Sequence, residues 1–366
     1  MENMVIDRDF WNGRRVFLTG HTGFKGAWAA LVLRSLGAKV SGYALAPEHD
    51  NGIFVAAGVA QDLSHEIGDV RDFLSLSDSI ATARPEIVLH MAAQALVRRS
   101  YAQPVETFAT NVMGTVHVLE AVRQVDSIRA VVVVTSDKCY ENTGQRPGYV
   151  ETDRVGGADP YSNSKGCAEL VTESYRRSFL SAKAAPAIAS ARAGNVIGGG
   201  DWAQDRLVPD AVRAFGAGKP LRLRNPHAVR PWQHVLDPVL GYLRLAQLLF
   251  TRGQDFAEGW NFGPSAASEV SVGTVVDRLK RLWGDGARWE QDGGEHPHEA
   301  AYLRLDCAKA RGRLGWQPAL ALDDGLSLSV EWYKQSSRSA DMRAISLAQI
   351  DGVLTRPAEM MQARAR

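Results

Sequence analysis

The sequence predicts an α/β protein whose core is a doubly wound parallel sheet, with a smaller, loop-rich C-terminal domain. Short apolar segments typical of strands alternate with amphipathic segments typical of helices, and this alternation favours parallel β-α-β units. The predicted strands are 15–18, 38–43, 87–91, 130–135 and 187–191, and the predicted helices are 27–36, 71–83, 104–125, 161–179 and 235–250. The segment 130–134 is apolar on both faces, as a central parallel strand should be.

The 366 residues exceed the usual size of a single core, so two domains are expected. Residues 1–191 are predicted to form a nucleotide-binding domain, to which 235–262 return. Residues 192–234 and 263–366, richer in Gly, Pro and Trp, are predicted to form a substrate domain. The polar residues from Gln335 onward show weak helical periodicity and are expected to form a peripheral tail.

Composition argues against nucleic acid or an anionic membrane as a partner, because 42 basic residues balance 41 acidic ones without a long block of one sign. A small diffusible substrate is expected instead. Cys139, Cys167 and Cys307 have no CxxC spacing, which predicts reduced thiols, a cytoplasmic location and no zinc site. We expect neither an export signal nor a membrane span.

A glycine-rich turn joins the first predicted strand to the first predicted helix. Gly20, Gly23 and Gly26 have the spacing GxxGxxG, which lets a pyrophosphate approach backbone N–H groups at a helix N-terminus. An ordinary glycine-rich turn is the alternative, and the strand-turn-helix context disfavours it. The predicted dinucleotide-binding loop comprises Gly20, His21, Thr22, Gly23, Phe24, Lys25 and Gly26.

Two later turns are predicted to contact the same cofactor. One follows a strand at Asp69, Val70 and Arg71, where a short acid can hydrogen-bond an adenine amine. The other follows the third predicted strand, at the edge where open α/β sheets bind ligands, and comprises Ala92, Ala93 and Gln94. The second predicted strand ends without the acidic residue that binds a ribose 2'-hydroxyl, so this position does not separate NAD from NADP.

Tyr161 and Lys165 are four residues apart and lie on one face of a predicted helix. A cation beside a phenol lowers the pKa of the phenol toward the range of an acid/base catalyst. Solvated helix faces also carry this spacing by chance. The fourth predicted strand ends in Ser136, Asp137 and Lys138, which we expect to meet the Tyr/Lys pair at the carboxyl edge of the sheet. A solvated ion pair is the alternative for the acid and the lysine.

Residues after the fifth predicted strand are candidates for binding a diphosphate or a sugar, and arginine suits bidentate binding of a diphosphate. The candidates are Asn195, Arg206, Leu207, Val208, Arg224, Arg230 and His298. Arg222 is explained equally well as a surface charge. Pro297 separates His296 from His298 and disfavours a metal-binding helix, so no metal is predicted.

Four segments together resemble the extended short-chain dehydrogenase/reductases that act on nucleotide sugars, over nearly the whole chain. These segments are 20–26, 135–140, 159–170 and 192–202, and Asn111 in its local run adds to them. The resemblance implies a Rossmann-type fold, a tightly held NAD and a cofactor-binding role for Asn111, Tyr161 and Lys165. It also implies a homodimer formed by helices near 104–125 and 161–179.

The resemblance implies roles for the predicted site residues. Tyr161 removes the proton of the sugar 4-hydroxyl, with Lys165 lowering its pKa and Ser136 hydrogen-bonding the same oxygen. A neutral Lys138 abstracts the proton at carbon 5, and protonated Asp137 donates to the departing 6-hydroxyl. The alternative for Lys138 is that it orients Asp137 or stabilises the enolate. In related dTDP-glucose dehydratases the strand end carries Asp-Glu, and its replacement here by Asp-Lys implies CDP-glucose as substrate and dehydration as the reaction.

Two functions other than dehydration are compatible with part of this set of residues. A nucleotide-sugar 4-epimerase or ketoreductase needs the Tyr/Lys pair and the cofactor, but no acid/base pair for elimination, so Asp137 and Lys138 favour dehydration. A non-catalytic NAD-sensing protein is also compatible with the fold. Intact Ser136, Tyr161 and Lys165 disfavour it, because these residues match the roles that catalysis needs.

Overall fold

The computed structural model describes residues 6–144, 147–294 and 302–356 of the chain. Its strands are β1 Arg15–Thr19, β2 Lys39–Ala44, β3 Ser64–Ile67, β4 Ile87–His90, β5 Ala130–Val134, β6 Ala187–Arg192, β7 Val196–Ile197, β8 Leu221–Leu223, β9 Val229–Pro231, β10 Gln233–His234, β11 Gly259–Asn261, β12 Glu269–Ser271 and β13 Trp289–Gln291. Its α-helices are α1 Arg8–Trp11, α2 Phe24–Ser35, α3 Ile53–Ala56, α4 Phe73–Ala83, α5 Val97–Ala102, α6 Pro104–Phe108, α7 Gly114–Val122, α8 Pro160–Ser178, α9 Leu207–Gly216, α10 Leu236–Arg252, α11 Val272–Trp283, α12 Leu322–Ser336 and α13 Met342–Leu354.

Seven strands form one parallel sheet in the order β3-β2-β1-β4-β5-β6-β11. The chain winds outward in one direction from β1 through β3 and in the other from β4 through β6, which opens a crevice between β1 and β4. This topology confirms the predicted doubly wound parallel sheet. The edge strand β11 is absent from the predicted set because its three residues give too short a pattern.

Alternate residues of the central strand β5 pack into two apolar layers, one on each face of the sheet. Val132 and Val134 join a large cluster that includes α2 and α10. Val131 and Val133 join a second cluster that includes α4 and α7. Because both faces are covered, every position of β5 is buried, which explains its unbroken apolar sequence.

The helix predicted at 235–250 is α10, and it packs against β5, β6 and α2. The following strand β11 pairs with β6. The predicted return of this segment to the sheet agrees with both contacts, while the division of the chain into two domains stays a prediction. None of the described helices has the length and apolar content that a membrane crossing requires.

The remaining strands form three small pairs, β7 with β10, β9 with β12 and β8 with β13. These pairs, with α9, α11 and the connecting loops, form the smaller C-terminal part of the molecule. The paired strands are only two or three residues long, so most of this part is loop.

The prediction of a peripheral tail after Gln335 is wrong for the described residues. They form α13, which packs against α12, α2 and α3 and buries Met342, Ile350 and Val353. Arg343 fixes the helix by an ion pair with Asp62. The periodicity is weak because few of the helix positions are both apolar and buried, so sequence alone does not reveal the docking.

Asp237 in the first turn of α10 is a buried acid that joins α10 to the loop before α12. Its Oδ1 accepts hydrogen bonds from the backbone N–H of Ala319 at 2.6 Å and of Leu320 at 3.3 Å. Its Oδ2 has no hydrogen-bond partner among the described residues. Burial raises the pKa of Asp237 from 3.8 to about 7, although both backbone donors act to lower it.

Asp237→Asn should remove a pH dependence of stability. The folded protein keeps the Asp237 proton up to about pH 7, whereas the unfolded chain releases it above pH 3.8. The free energy of unfolding of the wild type should therefore fall by about 1.4 kcal/mol per pH unit in this window, relative to the neutral variant. Urea denaturation between these pH values measures the difference, and parallel profiles of the two proteins would contradict the assignment.

Candidate active site

The carboxyl ends of β1, β4, β5 and β6 lie side by side because the strands are parallel and adjacent. Three predicted site segments, the glycine loop, residues 92–94 and residues 136–138, follow β1, β4 and β5, and α8 contacts β6 and the turn after β5. The structure therefore brings these segments to one edge of the sheet. Residues distant in sequence therefore meet there.

The loop after β1 leaves no room for a side chain at Gly20 or Gly26. Gly20 has φ +78°, and a Cβ there would lie 2.6 Å from the backbone nitrogen of Ala92. A Cβ at Gly26 would overlap the carbonyl oxygen of Gly20. Gly23 caps α2 without a side-chain hydrogen bond, so the first N–H groups of α2 stay free to bind an anion.

His21 and Thr22 hold this loop to the neighbouring strands. His21 Nε2 lies 2.6 Å from Nδ1 of His65 in β3, and the His21 ring is fully buried. Burial, then the charge of His65, lowers the pKa of His21 to about 4, so His21 stays neutral near pH 7. Thr22 donates to the carbonyl of Leu45 at 2.8 Å. The sequence gives no signal for His65 as a partner, because the two histidines are far apart in the chain.

The second predicted cofactor turn follows β3. Arg71 forms an ion pair with the carboxylate of Asp69, with 2.8 Å between Arg71 Nε and Asp69 Oδ2. The Asp69 carboxylate, which is expected to bind the adenine amine, is thus also paired with Arg71. The backbone oxygen of Val70 lies 2.9 Å from Nδ1 of His117 in α7.

The third predicted turn follows β4, and Asn111 holds it in place. Thr19 Oγ1 accepts from the N–H of Ala92 at 3.2 Å. Asn111 accepts from the N–H of Gln94 at 2.9 Å and donates to the Gln94 carbonyl at 2.9 Å. The Asn111 amide also donates to Ser164 on α8 at 2.8 Å. Ala93 lies between these anchored residues, so the turn and α8 are joined.

Asn111 lies in a π-helical turn, Ala109–Met113, between α6 and α7. Such a turn inside a helix redirects side chains and is frequent at functional sites. Both ends of the buried Asn111 amide bind protein groups, so this residue bridges the turn and α8.

Ser136, Asp137 and Lys138 follow the end of β5, as predicted, and Asp137–Cys139 form a short 3₁₀ turn that Ser136 caps. Ser136 donates to Oδ1 of Asp137 at 3.0 Å and accepts from the backbone N–H of Lys138 at 3.2 Å. Burial raises the pKa of Asp137, although Lys138, Ser136, Lys25 and Arg230 all act to lower it. Asp137 is therefore a carboxylic acid that holds its proton more firmly than usual.

Gly194, which follows β6, determines how the Asp137 carboxyl group is enclosed. A Cβ at Gly194 would overlap both carboxyl oxygens of Asp137. Gln233 holds this backbone by donating to the carbonyls of Gly194 at 3.1 Å and Phe262 at 2.9 Å. Sequence analysis missed Gly194, and its position directly after the strand beside β5 was the available signal.

Tyr161 and Lys165 lie on the first turns of α8, which Asp159 caps by accepting from the N–H of Ser162 at 2.9 Å. Lys165 donates to the carbonyl of Val134, the last residue of β5, at 3.3 Å. This bond fixes the lysine against the strand that carries Ser136. Tyr161 is placed by its own N–H, which donates to Ser100 at 3.1 Å.

The predicted direction of the Tyr161 pKa is wrong. Burial raises it to about 12, although the interaction with Ser136 and the charge of Arg206 act to lower it. Lys165 is itself buried, and burial together with the charge of Lys25 lowers its pKa to about 8. Burial therefore weakens the preference of Lys165 for its charged form, which is the form that stabilises a phenolate.

Lys25 lies between the glycine loop and the other candidate residues. Burial, followed by the charge of Arg206, lowers its pKa to about 8, while Asp137 acts to raise it. Its charge also lowers the pKa of Lys165. Lys25 therefore belongs to the electrostatics of the Tyr161 and Asp137 region as well as to the predicted cofactor loop.

A buried ion pair behind the site was missed by sequence analysis. Glu169 on α8 lies 2.7 Å from Arg192 at the end of β6, and it accepts from Thr135 at 2.5 Å. Arg192 also donates to the hydroxyl of Tyr140 at 2.6 Å. The available signals were Glu169 four residues after Lys165 on one helix face, and a charged residue ending a buried strand.

The structure brings only part of the predicted substrate set to the cleft. Arg206 caps α9, pairs with Asp201 at 2.8 Å and acts electrostatically on Tyr161. Arg230 acts on Asp137. Arg224 lies 3.7 Å from Asp205.

The other predicted substrate residues have different surroundings. Asn195 has φ +47° and its carbonyl accepts from Gln233 at 3.2 Å. Leu207 and Val208 form the first turn of α9, where Val208 is buried. Arg222 is exposed and pairs with Glu290, which agrees with a surface charge. His298 lies outside the described residues.

Comparison with known proteins agrees with this geometry. The sequence model of the family described as GDP-mannose 4,6 dehydratase matches residues 17–328. A CDP-glucose 4,6-dehydratase from Salmonella typhimurium is 52% identical over 355 residues, covering 96% of this chain and 99% of that protein. The chain belongs to this dehydratase family. Membership confirms the resemblance to the nucleotide-sugar branch of the short-chain dehydrogenase/reductases.

Solved structures show the same fold as in this family. A dTDP-glucose 4,6-dehydratase from Bacillus anthracis in complex with NAD has a TM-score of 0.74 at 21% identity, covering 90% of this chain and 99% of that one. MoeE5 in complex with UDP-glucuronic acid and NAD has a TM-score of 0.72 at 27% identity, covering 88% and 99%.

Glu169→Gln should destabilise the fold, because it leaves the Arg192 guanidinium buried without a counter-charge. We expect the free energy of unfolding to fall by about 3–5 kcal/mol. Glu290→Gln removes the exposed partner of Arg222 and is the matched control, with an expected change within about 0.5 kcal/mol. Urea denaturation measures both, and equal small changes would show that the buried pair does not stabilise the site.

Proposed function

We propose that this protein converts CDP-D-glucose into CDP-4-keto-6-deoxy-D-glucose and water, using NAD that stays bound. The carrying observation is the position of Asp137 and Lys138 at the end of β5, where Asp137 accepts a hydrogen bond from Ser136 and acts electrostatically on Tyr161. Besides NAD as the hydride acceptor, oxidation of an alcohol requires only the tyrosine, the serine and Lys165. The added acid and lysine supply what removal of water needs.

NAD fits the glycine cradle of this chain. Side chains at Gly20 and Gly26 would overlap backbone, and the free N–H groups at the start of α2 suit a pyrophosphate. Bound NAD supplies a hydride acceptor for carbon 4, a hydride donor for carbon 6 and a positively charged ring beside Tyr161. The loop 20–26, the turns at 69–71 and 92–94, and Lys165 are the groups proposed to hold it.

Tyr161 is proposed as the base that takes the proton of the sugar 4-hydroxyl. Its raised pKa means that a positive charge must approach before it ionises, which couples base strength to cofactor binding. Ser136 is proposed to bind the same sugar oxygen. Lys165, fixed by Val134, is proposed to hold the cofactor ribose.

Asp137 and Lys138 are proposed to carry out the elimination. Once carbon 4 is a ketone, the proton at carbon 5 is acidic, and Lys138 is proposed to take it. Asp137 is proposed to donate its proton to the departing 6-hydroxyl, and its raised pKa favours the protonated form that a donor needs. The Lys138 proton then returns to carbon 5.

Cytidine and diphosphate recognition is proposed for the C-terminal part. Arg206 and Arg230 interact with the catalytic residues electrostatically, so a diphosphate bound by them would lie near the sugar site. Asn195, Leu207, Val208, Arg224 and His298 complete the proposed set. The choice of CDP-glucose is supported by the relative of that name, which matches 96% of this chain.

A cytoplasmic homodimer is also proposed. Val105 of α6, Met113 and Leu170 of α8 are exposed apolar residues on the segments 104–125 and 161–179. Burying them against a second copy would remove apolar surface from water. The cysteines Cys139, Cys167 and Cys307 are free, which suits a reducing compartment.

Incubation of purified protein with CDP-glucose, without added cofactor, tests the function by the mass of the product. We expect a product lighter by one water. An isomer of unchanged mass would indicate an epimerase, and the absence of any reaction with nucleotide sugars would contradict an enzymatic role. Competition between CDP-, dTDP- and GDP-glucose then measures base selectivity.

Gly26→Ala should abolish retention of NAD through purification, because the new Cβ overlaps the carbonyl of Gly20. Gly352→Ala in α13 is the matched control, since its Cβ would meet nothing within 4 Å and the residue lies outside the proposed cradle. Acid release of nucleotide from each protein, followed by chromatography, measures the NAD content. Equal NAD content in the two variants would contradict the proposed cradle.

Lys138→Met should stop exchange of the carbon 5 hydrogen with solvent deuterium while oxidation at carbon 4 survives. Loss of the only proposed base at carbon 5 is expected to slow the elimination by about a hundredfold or more. Mass spectrometry of recovered sugar measures the exchange. Lys183→Met, which removes an exposed lysine, is the control and should exchange normally. Retained exchange in the first variant would remove Lys138 from this role.

A further inference from the structure

After each turnover of the proposed reaction, one proton is on Tyr161 that Asp137 needs for the next turnover. The 4-hydroxyl gives its proton to Tyr161, and the ketone at carbon 4 never takes it back. Asp137 gives a proton to the departing 6-hydroxyl, which leaves as water. The hydride removed from carbon 4 is added at carbon 6, and Lys138 returns its proton to carbon 5. Tyr161 therefore ends with one proton too many, and Asp137 with one too few.

Ser136 interacts with both of these groups. It donates to Oδ1 of Asp137 at 3.0 Å, and its side chain is near enough to Tyr161 to lower the pKa of that phenol. The backbone N–H of Lys138 donates to the Ser136 oxygen at 3.2 Å and keeps it in place. A hydroxyl accepts one hydrogen bond while it donates another, so Ser136 is able to take a proton from one side and release its own to the other.

We propose that Ser136 passes the proton of Tyr161 back to Asp137 within the site. The Tyr161 O–H bond breaks as a new O–H bond forms at Ser136, and the original Ser136 proton moves to Oδ1 of Asp137. One proton moves in total and Ser136 is unchanged. This transfer returns Tyr161 and Asp137 to their starting protonation states without any exchange of protons with solvent. This inference rests on the proposed dehydration.

Because these residues are buried, proton transfer within the site is favoured over proton supply from solvent. Asp137 is 1% exposed, Ser136 5% and Tyr161 8%, and the backbone of Gly194 covers the Asp137 carboxyl group. Water therefore has little access to the acid that must be reprotonated. The cations that act on Asp137 are Lys138, Lys25 and Arg230. Among these, Lys25 is the competing internal donor, because its pKa is lowered to about 8.

Ser136→Ala and Ser136→Thr separate this role from the part Ser136 plays in oxidation. With excess CDP-glucose and rapid quenching, the alanine variant should release about one product per site and then continue about a hundredfold more slowly. Imidazole buffer should accelerate only this later phase, by supplying protons to Asp137. The threonine variant keeps the hydroxyl and should show neither effect. First and later turnovers slowed equally, without buffer dependence, would overturn the proposal.

The wild type provides a test that needs no variant. A pH-indicator dye in weak buffer should record no proton release or uptake during one turnover. Product formation with a transient release and uptake of one proton would overturn the internal path while leaving the dehydration intact. No product from CDP-glucose would overturn the proposed function and, with it, the path.

Discussion

The backbone of Gly194 lies against the carboxyl group of Asp137, and the chemistry of the site depends on this contact. It requires β5 and β6 to be adjacent and parallel, since only then do their carboxyl ends meet. It also requires glycine, because any side chain would occupy the space of the carboxyl oxygens. Enclosure raises the pKa of this acid, which favours the protonated form that is able to release a hydroxyl as water.

The same enclosure sets the properties of the neighbouring groups. Burial raises the pKa of Tyr161 and lowers those of Lys165 and Lys25, so the charged form of each group is less favourable than in water. The ionisation of these groups therefore depends on the charges of the cofactor and the nucleotide sugar that bind beside them. The buried pair of Glu169 and Arg192 fixes α8 to β6 and so keeps Tyr161 beside the strand that carries Ser136.

Sequence predicted the parts of this account that depend on local pattern. The five central strands, the glycine loop and the order of Ser136, Asp137 and Lys138 follow from periodicity and spacing. The Asp137–Gly194 contact, the His21–His65 pair and the docking of α13 depend on which distant segments become neighbours, which spacing does not encode. The Tyr161 pKa was predicted in the wrong direction because spacing reveals the nearby cation and not the degree of burial.

The central claim is that the end of β5 turns an oxidation at carbon 4 into a dehydration within a single bound substrate. The most direct measurement uses CDP-glucose carrying deuterium at carbon 4, mixed with unlabelled substrate, without added cofactor. The account predicts a 6-deoxy product in which the deuterium has moved to carbon 6 of the same molecule. Loss of deuterium to solvent, or its appearance in the unlabelled molecules, would contradict it.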